Sequence, residues 1–113
     1  MVNPFVPDRG DIIFLNFCPQ SGREQSSLRP ALVISPKIYN QKTSLCICCP
    51  ITKQKKGYPF EIEINGKNVK GVILADHIKN LDWVARKAKF VEKVSPKLYR
   101  KVLQKIVALI EEE

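Results

Sequence analysis

The sequence contains little that would support metal, disulfide or membrane chemistry. It has one histidine, His77, which lies far along the chain from all four cysteines, so a zinc site is not expected. No apolar run approaches the roughly 18 residues that a membrane-spanning helix requires. The first residues show no basic stretch followed by an apolar one, as a secretion signal would. We therefore expect a cytoplasmic protein with no cofactor, no metal ion and no membrane partner.

The four cysteines are expected to be packing residues. They are Cys18, Cys46, Cys48 and Cys49, and three of them lie in one short apolar run. If that run is a strand, side chains alternate between its faces, so Cys46 and Cys48 share one face and Cys49 lies on the other. Small buried thiols behave as hydrophobic residues. This interpretation is favoured over zinc binding or a functional disulfide, which a reducing compartment disfavours.

Length and charge indicate one basic domain. The chain has 113 residues, which suits a single domain spanning residues 1–113. Lysine and arginine number 19 against 11 aspartates and glutamates, a formal net charge of +8. Such a field favours polyanions, with nucleic acid first and acidic proteins second. A solvated surface that merely aids solubility is the alternative.

Apolar patterning predicts a mainly β fold of the α+β class. The expected strands are 11–17, 29–35, 45–51, 60–64, 71–76 and 86–94, and Pro50 marks a strand end or edge. In the fourth strand, Phe60, Ile62 and Ile64 should point inward. Residues 78–83 suggest a helical turn or a short helix. The strands therefore predict a small β-barrel or a strongly bent sheet.

A terminal helix should pack on this sheet. Ser95 is a suitable N-cap, followed by Pro96 at the first helical position. The spacing that follows is typical of an amphipathic helix, with apolar residues Leu98, Val102, Ile106, Leu109 and Ile110.

Two polar loops carry the candidate chemistry. The loop over residues 18–28 holds Glu24 and Gln25 and leads into Arg29, whose guanidinium can bind a phosphate in bidentate fashion. A surface ion pair between Arg29 and Glu24 is the alternative. The second loop begins at Thr52 and carries Lys53, Lys55, Lys56 and Tyr58. Its lysines suit a phosphate backbone, and Tyr58 could stack on a base. A solvated charged loop is the alternative here.

Two isolated residues remain open between structural and functional roles. His77 invites a catalytic interpretation, but a single histidine is more often structural. Trp83 is expected in the core or at a dimer interface.

Six segments in order resemble a known toxin family. They are Val-Pro-Asp-Arg-Gly-Asp at 6–11, Gly-Arg-Glu-Gln at 22–25 with Arg-Pro-Ala at 29–31, Tyr-Asn-Gln-Lys-Thr at 39–43, Lys-Gly-Tyr-Pro-Phe-Glu at 56–61, Gly-Val-Ile-Leu-Ala-Asp at 71–76 and Trp-Val-Ala-Arg at 83–86. Together these segments resemble the MazF branch of the PemK-like toxins of toxin–antitoxin systems. The match covers residues 6–86 in detail and the terminal helix in outline.

The resemblance implies an SH3-like barrel of the PemK and CcdB toxin type that forms a homodimer. It also implies metal-independent cleavage of single-stranded RNA, chiefly messenger RNA, and inhibition by a MazE-like antitoxin. The family's active-site arginine, threonine and loop glutamate fall on Arg29, Thr52 and Glu24. RNA contacts are expected from Lys53, Lys55, Lys56, Tyr58, Gln25 and Arg86. Relatives often carry an acid where this chain has Cys18, which leaves the RNA sequence preference open.

The residues suggest how such a reaction would proceed. No grouping of carboxylates in the sequence suits Mg²⁺, which favours attack by the RNA's own 2′-OH. Glu24 is the best candidate base, Arg29 stabilises charge, and Thr52 bonds and positions the phosphate. His77 is an alternative proton donor. A gyrase-poisoning toxin of the same fold is disfavoured by the acidic end at residues 111–113, and a non-catalytic RNA-binding barrel would not need Glu24, Arg29 and Thr52 together.

Overall fold

The computed structural model describes residues 5–17 and 28–111, which form a half-barrel of β-strands with two α-helices. The strands are β1 (Asp11–Asn16), β2 (Leu28–Val33), β3 (Leu45–Thr52), β4 (Glu61–Asn65), β5 (Lys70–Leu74), β6 (Lys79–Asp82) and β7 (Lys89–Lys93). The helices are α1 (Lys37–Thr43) and α2 (Pro96–Glu111), and a short 3-10 helix spans Ala75–His77. The predicted mainly β class with a C-terminal helix is confirmed. Within the described ranges, neither α-helix is long and apolar enough to cross a membrane.

Strand β3 is the centre of the sheet. The strand order is β4-β5-β3-β2-β1-β7, and β6 pairs with β3 beside β5. All these pairs are antiparallel, and Ala31 of β2 lies opposite Pro50 of β3. The prediction that Pro50 marks a strand end or edge is therefore wrong. On its other side β3 pairs with β6 up to Cys48 and with β5 from Ile51, so Pro50 lies where that ladder changes partner.

The two faces of the sheet carry separate apolar clusters. The first contains Ile12, Leu32 and Ile73 and is covered by Val102 and Ile106 of α2. The second contains Ile13, Leu15, Ala31, Val33, Cys46 and Cys48. Neighbouring residues of one strand fall in different clusters because strand side chains alternate between faces.

The described cysteines follow this alternation as predicted. Cys46 and Cys48 lie in the second cluster and Cys49 in the first, and all three are buried free thiols. Cys46 and Cys49 do have the C-x₂-C spacing of many zinc sites, but they lie on opposite faces of β3. They therefore pack as small apolar residues. Cys18 lies outside the described residues.

Helix α2 begins as predicted. The Ser95 hydroxyl accepts a hydrogen bond from the backbone N–H of Leu98 at 3.1 Å, so Ser95 is the N-cap. Val102 and Ile106 are buried. The last apolar residues of the predicted helix face, Leu109 and Ile110, are exposed, and Ile110 is 73% exposed.

The prediction of a helical turn over residues 78–83 is wrong. Residues 79–82 form strand β6, in which Lys79 pairs with Cys48 and Leu81 with Cys46. The six-residue pattern suited either a helix or a strand. A strand forms because the backbone groups along one side of the first half of β3 need hydrogen-bond partners, and β6 supplies them.

Helix α1 was not predicted and depends on a buried asparagine. The Asn40 side-chain amide donates to the carbonyls of Pro7 at 2.8 Å and Ser35 at 3.1 Å. Its oxygen accepts from the Ser35 hydroxyl at 2.5 Å. The Trp83 indole N–H donates to the Asn40 carbonyl at 2.9 Å. Trp83 is partly buried against the second cluster, which agrees with the predicted packing role.

Candidate functional site

A groove of about 770 Å³ opens beside the start of β2 and the end of β3. Arg29 and Thr52 both line it. Ala31 and Pro50 are paired across these strands, and continuing that register by two residues places Arg29 opposite Thr52. Opposite residues of an antiparallel pair share a face of the sheet. The groove therefore brings together the two residues that the sequence singled out on separate loops.

The backbone beneath Thr52 is held by a close approach to β5. Thr52 pairs with Val72, and a Cβ placed on Gly71 would lie 2.3 Å from the Thr52 carbonyl oxygen. Gly71 has a φ of +146°, which side chains rarely permit. The Thr52 hydroxyl oxygen accepts the Gln54 N–H at 3.2 Å, which leaves the hydroxyl proton able to donate toward the groove.

The groove is strongly basic. Its charged lining residues within the described chain are the four cations Arg29, Lys53, Lys70 and Lys79. None of the described residues that line the groove is an aspartate or a glutamate. Apolar side chains, including Phe14 and Phe17, complete the wall. Positive charge beside partly exposed aromatic side chains suits a phosphate backbone with unstacked bases.

Glu24 and Gln25 lie outside the described residues, in the segment 18–27. The residues that flank this segment, Phe17 and Leu28, both line the groove. The segment is therefore joined at both ends to residues of the groove wall.

Only part of the second polar loop lines the groove. Lys53 lines the groove, whereas Lys55, Lys56 and Tyr58 are not among the lining residues. Lys55 forms an ion pair with Glu63 on β4, and this bond raises the pKa of Lys55 and lowers the pKa of Glu63.

A second carboxylate fixes the tip of the same loop. Glu61 accepts the backbone N–H groups of Lys56 at 2.9 Å and Gly57 at 2.8 Å. Partial burial, followed by the charges of Asp76 and Glu61, raises the pKa of Tyr58. RNA contacts by Lys55, Lys56 and Tyr58 stay predictions.

Arg86 has a backbone role next to the groove. Its guanidinium Nη1 donates to the carbonyl of Phe17 at 3.0 Å and to that of Asn16 at 3.2 Å. The Asn16 N–H in turn donates to the Arg86 carbonyl at 3.0 Å. Arg86 therefore holds the end of β1 where the segment 18–27 begins. Direct RNA contact by Arg86 stays a prediction.

His77 lines the groove from the 3-10 helix that follows β5. Its side chain is 49% exposed, so it does not fill a place in the core. Its Nε2 lies 3.9 Å from Oδ1 of Asp76.

Two groove lysines were not identified from the sequence. Lys79 was assigned to a helical turn, and Lys70 lies at the start of β5 beyond the predicted strand. Both lie on strands that pair with the central strand β3, Lys70 on β5 and Lys79 on β6. The local sequence pattern does not reveal this pairing. Their one sequence signal was the general excess of lysine.

Within residues 5–17 and 28–111, histidine, cysteine, aspartate and glutamate do not form a group of three or more that could hold a metal ion. The absence of a metal and of a cofactor from the reaction stays a prediction.

Comparison with known proteins identifies relatives along almost the whole chain. Residues 8–110 match the family model of the PemK-like, MazF-like toxin of type II toxin–antitoxin systems. The chain is 46% identical over 110 residues to the endoribonuclease toxin MazF of Escherichia coli strain K12, covering 97% of this chain and 99% of the relative. It is 31% identical over 117 residues to the endoribonuclease toxin ChpB of the same strain, with 98% and 100% coverage.

Solved structures agree with the sequence matches. The structure of MazF from Deinococcus radiodurans superposes with a TM-score of 0.84 at 44% identity, covering 95% of this chain and 98% of the other. A MazE–MazF structure from the same organism superposes with a TM-score of 0.85 at 38% identity, covering 97% and 100%.

Proposed function

The chain belongs to the PemK-like, MazF-like toxins of type II toxin–antitoxin systems, and we propose that it performs their endoribonuclease reaction in the groove, through Arg29, Thr52 and Glu24. The enzyme cleaves RNA, and as a toxin it inhibits translation by destroying messages. The observation that supports the site assignment is that Arg29 and Thr52 both line one groove, together with Lys53, Lys70 and Lys79. Messenger RNA as substrate places the enzyme in the cytoplasm.

Single-stranded RNA is the substrate that fits the groove. Aromatic side chains stand beside the cations, and unpaired bases can be turned outward to stack on them. In a duplex the bases are stacked and paired, so the groove could contact only the backbone. Duplex RNA should therefore resist cleavage.

The reaction uses the substrate's own 2′-OH as nucleophile. Glu24 removes the 2′ proton, and the 2′ oxygen forms a bond to phosphorus as the bond to the 5′ oxygen breaks. The products are a 2′,3′-cyclic phosphate and a 5′-hydroxyl. No water and no metal ion takes part in this step.

Arg29 and Thr52 act on the phosphate. Two parallel N–H groups of Arg29 bond the non-bridging oxygens, whose negative charge grows as the phosphorane forms. Thr52 donates its hydroxyl proton to the same group and fixes its position. Arg29 stays protonated throughout, because a guanidinium hardly deprotonates in proteins.

The test is cleavage of a defined single-stranded RNA in excess EDTA, with analysis of both new ends. We expect 2′,3′-cyclic phosphate and 5′-hydroxyl ends at an undiminished rate. A requirement for Mg²⁺, or 5′-phosphate products, would contradict the mechanism. Sequencing the new 5′ ends from a mixed RNA pool would also give the cleaved motif.

The toxin acts as a homodimer and is inhibited by a MazE-like antitoxin, in keeping with the MazE–MazF structures that it resembles. Sedimentation of the purified toxin at micromolar concentration checks the dimer, because a monomer would exclude it.

A further inference from the structure

RNA cleavage without a metal requires a proton donor for the leaving 5′ oxygen, and the groove contains one residue type suited to it. The described charged and hydroxyl side chains of the wall are an arginine, a threonine, lysines and His77. Arginine and lysine hold their protons too tightly at neutral pH, and a threonine hydroxyl is a weak acid. Histidine is the side-chain type that gains and loses a proton in this range.

His77 lies beside a carboxylate as well as at the groove. Oδ1 of Asp76 is buried and has no hydrogen-bond partner among the described residues. The imidazole Nε2 lies 3.9 Å from that oxygen. A protonated imidazole donates through both nitrogens, so one N–H can bond Asp76 while the other faces the groove.

The remaining surroundings of His77 do not supply a competing acid. Val102 and Ile106 of α2 lie in one apolar cluster with Ala75 of the 3-10 helix. From β3, the Cys49 thiol has its pKa raised to about 12 by burial and then by Asp76, so it stays protonated. The pKa of Tyr58 is also raised. Toward the groove, the charged residues are Arg29, Lys53, Lys70 and Lys79.

We propose that His77 is a catalytic residue of this ribonuclease, the general acid that protonates the leaving 5′ oxygen. As the bond between phosphorus and that oxygen breaks, the oxygen takes the electron pair of the bond and receives the imidazolium proton. The 2′ proton passes to Glu24, so one proton leaves the substrate and one returns to it. The neutral imidazole then regains its proton from water. The proposal rests on the proposed function and adds the identity of the acid.

The experiment compares His77→Gln with the unaltered enzyme on two RNAs under single-turnover conditions. One RNA is ordinary, and the other carries sulfur in place of the scissile 5′ oxygen. A thiolate leaves without being protonated, because thiols are far stronger acids than alcohols. We expect His77→Gln to slow the ordinary RNA by about 10² or more, the usual contribution of general acid catalysis. The sulfur-containing RNA should be cut at nearly the native rate.

The pH profile provides a second readout. With ordinary RNA, the native rate should fall as pH rises above neutrality, and this alkaline decline should disappear in His77→Gln or with the sulfur-containing RNA. Binding of an uncleavable RNA with a 2′-deoxy scissile nucleotide should be unchanged. Arg29→Lys is the control, because its loss should be equal on both RNAs.

The assignment of the acid would be overturned if His77→Gln kept the native cleavage rate and pH profile. It would also be overturned if the substitution slowed cleavage of both RNAs equally. Those outcomes leave the ribonuclease intact. If the unaltered enzyme cleaves neither RNA, the proposed function itself fails.

Discussion

Gly66 lies directly against the carboxylate of Glu92, so closely that a Cβ on Gly66 would be 2.7 Å from Oε2. Glu92 is on β7, and its two oxygens accept the backbone N–H groups of Lys67 at 3.1 Å, Asn68 at 2.9 Å and Val69 at 3.1 Å. One side chain therefore fixes the turn between β4 and β5. That turn supplies Asn68 and Val69 to the groove.

Replacing Glu92 should loosen this wall of the groove. Glu92→Ala removes the acceptors of three backbone donors, and a hydrogen bond to a charged group typically contributes about 1.5–3 kcal/mol to stability. We expect a net loss of about 1–3 kcal/mol in the free energy of unfolding, because the turn is partly open to water. RNA binding should weaken as well. Urea unfolding measures the first and titration of uncleavable RNA the second.

Glu63→Gln is the matched control for Glu92→Ala. It removes an acidic side chain from an exposed ion pair and should change stability little. Equal effects of the two substitutions would contradict the special role of Glu92.

Arg29→Lys should lose most activity and fold normally. Lysine keeps the charge but cannot place two parallel donors on a phosphate. Loss of one such donor typically slows a reaction by about 10²–10³, and Thr52→Ala should cost as much or less. Single-turnover cleavage measures the loss, with Arg100→Lys on the exposed side of α2 as control. Near-native cleavage by Arg29→Lys would remove Arg29 from the active site.

Two neighbouring lysines should differ in their effect on RNA binding. Lys53 lines the groove, whereas Lys55 is held by Glu63. Lys53→Ala should flatten the log–log dependence of RNA affinity on salt by about 0.7, the value for one phosphate contact on a single strand. Lys55→Ala should leave that slope nearly unchanged. The reverse order would show that the ion pair opens when RNA binds.

The buried thiols should be inert until the protein unfolds. Burial raises the pKa of Cys49 to about 12, and the hydrogen bond with Cys48, followed by burial, raises the pKa of Cys46 further. In a Cys18→Ser variant, iodoacetamide at pH 8 should modify no thiol in buffer and three in urea, as counted by mass spectrometry. Rapid modification of the folded protein would contradict the packing.

The same shift predicts a loss of stability in alkali. Cys49 titrates at about 12 in the folded protein and near 9.0 as an unperturbed thiol. The unfolded chain therefore loses its proton first, and the stabilising contribution of Cys49 decreases as pH rises from 9 toward 12. Cys49→Ala should show a shallower decline in melting temperature over this range.

An acidic antitoxin segment should compete with RNA for the groove. The chain has a net charge of +8, and four of its cations line this one surface. A disordered acidic segment can cover a long basic surface and bind quickly through the opposite field. Catalytically inactive Arg29→Ala protein, saturated with an acidic peptide from the cognate antitoxin, should bind RNA more weakly. Unchanged RNA affinity would show that inhibition acts at a distance.

Lys53→Ala should weaken the binding of both RNA and the antitoxin segment if the two share the groove. Lys97→Ala, a lysine exposed at the start of α2, is the matched control. If Lys53→Ala weakened the binding of RNA but not of the antitoxin segment, the two ligands would not share this part of the groove.

The sequence by itself determined the elements whose pattern is strong over several residues. Alternation in β3 predicted which cysteines share a face, alternation in β4 predicted that Ile62 and Ile64 are buried, and Ser95-Pro96 predicted the start of α2. Arg29 and Thr52 were also identified from the sequence, because their residue types suit phosphate binding and because six segments in order resemble one toxin family.

Only the tertiary structure decided which residues meet at the groove. Residues 79–82 became a strand because half of β3 lacked a partner, and that pairing brought Lys79 to the site. Lys55 bonds to Glu63 and Arg86 bonds to the end of β1, and their predicted RNA contacts stay predictions. His77 and Asp76 are neighbours in the sequence, yet the burial of one carboxylate oxygen beside an exposed imidazole depends on the packing of β3 and α2 around them. Such contacts join residues distant in the chain, and local pattern carries no information about them.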